Sequence, residues 1–387
     1  MRRLSTEYLT VPMKASLVIT ALLVLVVSCG RPASEQSVEK TPSDPERITV
    51  FSGGEEGYHC FRIPALLTAA DGTILAFAEA RRDSCRDDAD IDLAMKRSRD
   101  GGRTWGSLQV LFDDGDLSVN QPAPVLDRES GNVVLVFCKN NQRVFVTKSS
   151  DSGLTWMTPR EITQQVVHPD WSYVGAGPGH GIQLYSGRLL ISSWGDSSPG
   201  PGKWRPASWG KIQFSYAMFS DDYGETWNRS TALDTDLSDE SMSVETTDGR
   251  IYMNMRSRQD KRMRAYSWSE DGGETWAPVK FNDLMPEPSV QGSVVRFTKA
   301  GQQRKNRVLL AHPSNSSERS LLTVRMSYDE CRTFPVSKVL YAGSAAYSDM
   351  AIAPDMTILC LYEAEKYTRI TLARFSLKWL TDGADQL

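Results

Sequence analysis

Five aspartates lie between Arg81 and Leu93, in the segment RRDSCRDDADIDL, and their spacing allows two kinds of chemistry. Clustered carboxylates either ligate a metal ion or transfer protons. A calcium-binding loop that starts at Asp88 requires glycine at its sixth position and glutamate at its twelfth, where this chain has Leu93 and Arg99. The sequence therefore predicts no metal site here and leaves an acid or base for proton transfer.

The aspartates differ in their relation to the strand that follows. Alternation along that strand places Ile91, Leu93 and Met95 on one face, with Asp90 and Asp92 on the other face or at the strand entrance. The remaining candidates, which precede the strand, are Asp83, Asp87 and Asp88.

The cysteines predict neither a zinc site nor a disulfide framework. One lies near the N-terminus, and the other five, at positions 60, 85, 138, 331 and 360, show no CxxC spacing. We expect isolated thiols in the core.

Composition bounds the class of protein. The 387 residues include 44 Lys plus Arg and 48 Asp plus Glu, a net charge of −4, so there is no basic excess for a nucleic-acid partner. With 40% hydrophobic and 24% charged residues, the chain is globular.

The first 29 residues predict a signal peptide. Basic residues precede the apolar segment Leu17–Val27, which is too short for the ~20 apolar residues of a membrane-spanning helix. The sequence VVSCG around Cys29 is similar to a bacterial lipobox, so we expect an exported protein whose lipidated Cys29 attaches it to the cell envelope; ordinary cleavage with secretion and an uncleaved anchor are the alternatives. Residues 30–47 have the composition of a disordered tether.

From Ile48 onward the pattern predicts an all-β domain over residues 48–387. Short apolar runs bounded by turn residues indicate strands, and no stretch of ten or more residues shows sustained helical periodicity. The clearest runs are 73–78, 133–137, 189–192, 251–255 and 308–310.

An octapeptide of the form Ser-x-Asp-x-Gly-x-Thr-Trp recurs in this domain, and we call each copy an Asp box. Four copies begin at Ser98, Ser149, Ser220 and Ser269, and a degenerate fifth copy begins at Ser327. The intervals of 49 to 71 residues fit one four-stranded sheet each, so the domain length predicts a six-bladed β-propeller.

The Asp box has the composition of a tight turn, which gives it a structural role. Its aspartate accepts backbone hydrogen bonds, its glycine allows a positive φ, and its aromatic residue anchors the turn between sheets. Because Cys331 replaces the glycine in the fifth copy, we expect that turn to be strained or of another type.

The Asp boxes, together with Phe61-Arg62-Ile63-Pro64, resemble the sialidase (neuraminidase) family, whose hallmarks are an Arg-Ile-Pro motif and repeated Asp boxes. The resemblance extends from Ile48 to about Leu377. It implies an exo-α-sialidase that uses no cofactor and hydrolyses terminal α-linked sialic acids from glycoproteins, glycolipids and oligosaccharides. The same resemblance implies retention of configuration through a tyrosyl intermediate.

Sialic acid carries a carboxylate on its anomeric carbon, and guanidinium groups fit that planar anion. The resemblance implies that Arg62, Arg256 and Arg319 bind this carboxylate and that Glu363, in CLYEAEKY, orients Arg62.

The resemblance places the nucleophile at Tyr347, in the segment GSAAYSDM. A neutral phenol approaches the carboxylate-bearing centre without the repulsion that an ionised Asp or Glu would meet, and sialidases are the tyrosine exception among retaining glycosidases. A phenol of pKa ~10 needs an adjacent base. Glu240, which follows Asp239, matches the family's base better than Glu245 does.

The acid that protonates the departing oxygen is assigned by the same resemblance to Asp87, with Asp88 as the alternative. Two other functions share these motifs: a propeller that binds sialylated glycans without cleaving them, and a transfer-type (intramolecular trans-) sialidase. Linkage preference, the particular nonulosonic acid and the oligomeric state are not encoded in these motifs.

Overall fold

The chain folds almost entirely into β-strands in the computed structural model, which describes residues 44–197, 212–233, 236–301 and 305–387. Two helices of four residues each are the helical elements of these ranges. The prediction of an all-β domain is confirmed.

The N-terminal predictions fall mostly outside the structure. The predicted signal peptide, the lipobox at Cys29 and residues 30–43 of the predicted tether lie outside the described residues. The first strand begins at Glu46, two residues before the predicted domain boundary, because Glu46 and Arg47 pair with a strand near the C-terminus. No helix of the described ranges has the length and apolar character needed to cross a membrane.

The elements are numbered in chain order. The strands are β1 Glu46–Ser52, β2 Cys60–Thr68, β3 Ile74–Arg81, β4 Ile91–Ser98, β5 Gln109–Phe112, β6 Val119–Leu126, β7 Val133–Lys139, β8 Arg143–Ser149, β9 Arg160–Glu161, β10 Tyr173–Ala176, β11 Ile182–Gln183, β12 Leu189–Asp196, β13 Gln213–Ser220, β14 Asn228–Arg229, β15 Ser238–Glu245, β16 Ile251–Ser257, β17 Met263–Ser269, β18 Lys280–Pro286, β19 Ser293–Thr298, β20 Arg307–Pro313, β21 Ser320–Ser327, β22 Val336–Ile352, β23 Ile358–Ala364 and β24 Arg369–Phe375. The helices are α1 Thr163–Val166 and α2 Leu377–Leu380.

The strands form successive antiparallel sheets. Three of them have the orders β2-β3-β4-β5, β6-β7-β8-β9 and β15-β16-β17-β18, and a fourth has the order β10-β12-β13-β14 with β11 also paired to β12. The seven-stranded sheet runs β19-β20-β21-β22-β23-β24-β1. Its long strand β22 pairs with β21 over its first part and with β23 over its last part, so this sheet contains two sets of four strands.

The innermost strands of these sets contact one another in sequence. Contacts run from β2 to β6, β6 to β11, β11 to β15, β15 to β19, β19 to β22 and from β22 back to β2. The inner strands therefore close into a ring.

The second strand of each set forms its core. All residues of β3, β12, β16, β20 and β23 are buried. Such strands lie between neighbours on both faces and contain runs of apolar residues. Four of the five predicted runs lie within β7, β12, β16 and β20, and the run 73–78 begins one residue before β3, so these strand predictions are confirmed.

Each Asp box begins at the last residue of the third strand in its set. In the first box, Gly102 N–H donates to Ser98 Oγ at 2.9 Å, while Asp100 accepts from Thr104 N–H at 2.9 Å and from Thr104 Oγ1 at 2.7 Å. The corresponding bonds recur in the other four boxes. The boxes are turns, as predicted.

The fifth box keeps the same turn without glycine. Cys331 N–H donates to Ser327 Oγ at 2.9 Å, and Cys331 has a φ of +65°. Of the two outcomes predicted for this turn, the structure has the strained one, with a side chain in the left-handed region.

The cysteine prediction is wrong for two residues. Cys60 and Cys85 form a disulfide, whereas Cys138, Cys331 and Cys360 are buried free thiols as expected. The bond joins β2 to the loop between β3 and β4, two segments 25 residues apart whose approach no local spacing encodes.

Candidate active site

Arg62 and Glu363 form a buried two-point ion pair. Glu363 Oε1 accepts from Arg62 Nε at 3.0 Å, and Glu363 Oε2 accepts from Arg62 Nη2 at 3.2 Å. The same carboxylate accepts from the backbone N–H groups of Ile63, at 2.9 Å, and Tyr347, at 3.2 Å. Glu363 therefore orients Arg62 and also links the strands that carry Arg62 and Tyr347.

Irregularities in the pairing of the inner strands set the directions of the site side chains. The pairing register shifts between Arg62 and Ala65 in β2, between Ser238 and Ser241 in β15, and between Ala345 and Ser348 in β22. A bulge leaves backbone groups unpaired and redirects side chains. The shifts begin at Arg62 and bracket Glu240 and Tyr347, three residues that lie together in one cluster.

The bulge at Ile63 holds a strained backbone. Ile63 has a φ of +54°, which is unusual for a β-branched residue. Its N–H, freed from the strand ladder, donates to Glu363 instead. Strain of this kind persists where surrounding contacts fix the conformation, and it clusters at functional sites.

Arg256 lies beside the second carboxylate and the phenol. Arg256 Nη1 donates to Glu240 Oε2 at 2.9 Å and to Tyr347 Oη at 3.2 Å. Its Nε lies 3.6 Å from Asp239 Oδ1. The side chain is therefore tied to the predicted base and the predicted nucleophile at once.

Arg319 contacts neutral oxygen atoms. Its Nη1 donates to Tyr367 Oη at 3.0 Å, and its Nη2 donates to the carbonyl oxygen of Ser289 at 3.2 Å. Within the described residues, Arg319 forms no ion pair with a carboxylate. Its guanidinium carbon lies 5.6 Å from the centre of the Tyr347 ring, and that of Arg62 lies 5.3 Å from it.

Tyr347 and Glu240 form a short hydrogen bond in the interior. The phenol donates to Glu240 Oε1 at 2.5 Å, and both side chains are buried. Burial raises the pKa of Tyr347 well above its usual range and the Glu240 carboxylate adds to this, although three guanidinium groups oppose it. The phenol therefore rests in its protonated form with its proton directed at Glu240.

Asp87 lies at the edge of the same cluster. Its Oδ1 accepts from Arg81 Nη1 at 2.8 Å and from Arg62 Nη1 at 3.4 Å, and its side chain is 44% exposed. Burial would raise the pKa of Asp87, but the guanidinium groups of Arg81 and Arg62, with a smaller contribution from Arg319, hold it below its usual range.

The alternatives for these two carboxylates lie elsewhere. Asp88 is exposed and pairs with Arg86 at 2.6 Å. Glu245 accepts from Tyr185 N–H at 2.7 Å, and it lies five residues along β15 from Glu240, about 16 Å away in an extended strand. The structure therefore brings together all seven predicted site residues and neither alternative.

The sequence analysis missed the role of Arg81. Its side chain is fully buried, and its Nη2 donates to Glu79 Oε2 at 2.5 Å while its Nη1 donates to Asp87. Glu79 and Arg81 end the apolar strand β3, and charged residues that interrupt a buried run were the available signal.

The chain has relatives among known proteins. A family model described as a BNR repeat-like domain matches residues 72–360. A sialidase of Micromonospora viridifaciens is 30% identical to this chain over 98% of this chain's length and 60% of its own. The chain belongs to the sialidase family. It spans about 60% of the length of that Micromonospora relative.

Solved structures show the same fold. A Hadza microbial sialidase, Hz136, superimposes with a TM-score of 0.77 at 25% identity, covering 86% of this chain and 68% of that one. The intramolecular trans-sialidase from Ruminococcus gnavus, in complex with oseltamivir carboxylate, superimposes with a TM-score of 0.73 at 18% identity, covering 86% of this chain and 98% of that one. The second likeness concerns the fold alone.

Replacing Glu363 with alanine should destabilise the protein strongly. The substitution leaves Arg62 without its partner in the interior, and breaking a buried ion pair costs about 3–5 kcal/mol. Urea denaturation of wild type and variant measures the difference in the free energy of unfolding. Glu365→Ala is the matched control, since the Glu365–Arg369 pair is exposed and contributes less than about 1 kcal/mol. Equal effects of the two substitutions would contradict the role of Glu363.

Proposed function

We propose that this chain is an exo-α-sialidase, which hydrolyses terminal α-linked sialic acids of glycoconjugates with retention through a tyrosyl intermediate. The observation that carries the proposal is the 2.5 Å hydrogen bond between Tyr347 Oη and Glu240, flanked by guanidinium groups. Membership of the sialidase family supports the substrate class.

The fold proposed to carry this site is a six-bladed β-propeller. The six sets of four strands would be the blades, and the ring of inner-strand contacts supports closure around a central axis. In such a fold the ends of the inner strands meet at one mouth of the channel, which is where the bulged site residues would converge.

The arginines would bind the sugar carboxylate. Arg62 and Arg256 each have carboxylate partners, whereas Arg319 contacts neutral oxygens and keeps most of its charge for a ligand. A planar anion fits guanidinium groups that approach from different directions. Buried side chains around the group would strengthen this attraction by excluding water.

The first chemical step would use the phenol as nucleophile. Tyr347 Oη attacks the anomeric carbon while its proton passes to Glu240, and the bond from that carbon to the aglycone oxygen breaks. Asp87 gives a proton to the departing oxygen. The nearby guanidinium groups stabilise negative charge that develops on the phenol oxygen.

The second step would reverse these roles. Asp87, now ionised, removes a proton from water, which attacks the anomeric carbon. The bond from that carbon to Tyr347 Oη breaks, and Glu240 returns the proton to the phenol. Two inversions at one carbon give net retention.

The acid role of Asp87 requires a change in its surroundings. Arg62 helps to keep Asp87 ionised in the free protein. A substrate carboxylate that pairs with Arg62 would offset the positive charge of Arg62 and would also add a negative charge beside Asp87. Both changes raise the pKa of Asp87 and favour its protonated form. Binding of the substrate would thereby prepare the acid.

The Tyr347→Phe variant tests the proposal. Wild type should release free sialic acid from a fluorogenic aryl sialoside and from sialyllactose. The variant should lose at least about 10²–10⁴-fold in kcat/KM, because it lacks the nucleophilic oxygen and leaves Glu240 with no phenol proton to accept. Tyr341→Phe, on the same strand and outside the site, is the matched control and should keep parental activity.

Product analysis separates the rival functions. Mass spectrometry should detect free sialic acid; binding without turnover would indicate a glycan-binding protein, and an anhydro sugar would indicate an intramolecular transferase. Retained product at parental rate from Tyr347→Phe would contradict the assignment of the nucleophile.

The pH dependence of kcat/KM should follow the protonation of Asp87. Because its pKa in the free protein is lowered, the protonated fraction at neutral pH is small and grows as the pH falls. We expect kcat/KM for sialyllactose to rise by up to about tenfold per pH unit as the pH falls from about 8 toward 5. Asp87→Ala should flatten this rise, and Asp88→Ala should leave it intact. A parental profile in Asp87→Ala would contradict the role.

We also propose that the protein is exported. The apolar segment Leu17–Val27 supports this, and so does the disulfide, because such bonds persist in oxidising compartments. Fractionation of the native host should place the activity in the envelope or the medium, and globomycin should cause the longer, uncleaved precursor to accumulate if Cys29 is lipidated. Activity confined to the cytoplasm would contradict export.

A further inference from the structure

We propose that the Cys60–Cys85 disulfide is a positioning device for Asp87, which it holds at the distance from Arg62 that acid catalysis needs. The inference rests on the proposed function. Cys60 lies two residues before Arg62, and Cys85 lies two residues before Asp87. The covalent bond therefore joins the strand that carries the carboxylate-binding arginine to the loop that carries the acid.

Apart from the contacts of Cys85 and Asp87 with Arg81 and Arg62, the loop between β3 and β4 is held at its base. It is closed at its base by the hydrogen bond from Arg82 N–H to the carbonyl oxygen of Asp90 at 3.1 Å. Between these two residues, the described structure has no backbone-to-backbone hydrogen bond. Most side chains of the loop are half-buried or exposed and contribute no apolar core. Loops with so few contacts open at low free-energy cost unless they are tied down.

Cys85 is the point at which the loop is tied. Its sulfur is bonded to Cys60, which is fully buried, and its carbonyl oxygen accepts from Arg81 Nη1 at 2.6 Å. The same Nη1 donates to Asp87 Oδ1 at 2.8 Å. Arg81 is itself fixed by Glu79. The disulfide thus keeps the loop where one guanidinium group contacts both Cys85 and the acid.

Proton transfer is sensitive to placement. A displacement of about 1 Å at a reacting group can cost about 10²-fold in rate. Without the disulfide, the side-chain restraints on Asp87 would be its ion pairs with Arg81 at 2.8 Å and with Arg62 at 3.4 Å, which leave its half-exposed carboxylate room to move. Carboxylate binding would persist, since Arg62, Arg256 and Arg319 do not lie on the loop.

The substrate series separates acid positioning from general damage. Lactose is a poor leaving group that must be protonated as it departs, whereas an aryl leaving group departs without much help. We expect Cys60→Ser with Cys85→Ser to lower kcat for sialyllactose by about 10–10²-fold, with kcat for the aryl sialoside within about threefold of wild type and KM little changed. Circular dichroism and the melting temperature establish that the variant is folded.

A double-mutant cycle tests whether the effect passes through Asp87. In an Asp87→Asn background, removal of both cysteines should have no further effect on the ratio of the two kcat values. A second arm uses folded wild type treated with a phosphine in water. The phosphine gives two electrons to the disulfide and takes the oxygen of a water molecule to become a phosphine oxide, and the two protons of that water complete two thiols, which are then alkylated. The control for this arm is the same treatment of the variant that carries both Cys60→Ser and Cys85→Ser.

The outcomes are distinct. A selective loss on sialyllactose that disappears in the Asp87→Asn background supports the proposal. Equal loss on both substrates, loss that persists in that background, or parental kinetics in both the variant and the reduced wild type would overturn it. If the untreated wild type turns over neither substrate, the proposed function fails, and this inference fails with it.

Discussion

The site depends on holding three guanidinium groups close together without neutralising all of them. Like charges repel, and a buried charge needs a partner. Glu363 meets this need for Arg62 with two hydrogen bonds, and Glu240 meets it for Arg256. Arg319 contacts neutral oxygens in the described structure, so the cluster keeps an attraction for an anion. The same two carboxylates also orient their neighbours, because Glu363 fixes Arg62 and Glu240 accepts from the Tyr347 phenol.

The inner strands depart from regular pairing at the residues that form this cluster. Register shifts occur at Arg62, Glu240 and Tyr347, and Ile63 adopts a left-handed backbone. The backbone N–H groups of Ile63 and Tyr347 leave the regular strand pairing but still form hydrogen bonds, because the Glu363 carboxylate accepts from both. A buried carboxylate therefore compensates for two bulges while it holds an arginine. The second strands of two sets, β3 and β16, pair with β4 and β17 without a break in register, and they supply a regular frame beside the ring.

Much of the fold was predictable, because most strands buried on both faces contain a run of apolar residues and the Asp box encodes its own turn. The site residues were predictable only through motif resemblance, as for Arg62 and Tyr347. Alternation along a strand cannot tell where a side chain points once a bulge interrupts it. The Cys60–Cys85 disulfide escaped prediction because it depends on segments that meet only in the folded chain. Arg81 was visible as a charge in an apolar run, but its partner Asp87 was not.

The pairing of β1 with β24 has a consequence for how the molecule is made. Glu46 pairs with Arg374 and Ser52 with Arg369, so the last sheet combines strands from opposite ends of the domain. Contacts this distant in sequence form late and slowly. A ribosome releases residues in order, so the seven-stranded sheet cannot be completed until β24 has emerged. The topology therefore delays completion of the native state until nearly the whole domain has been synthesised.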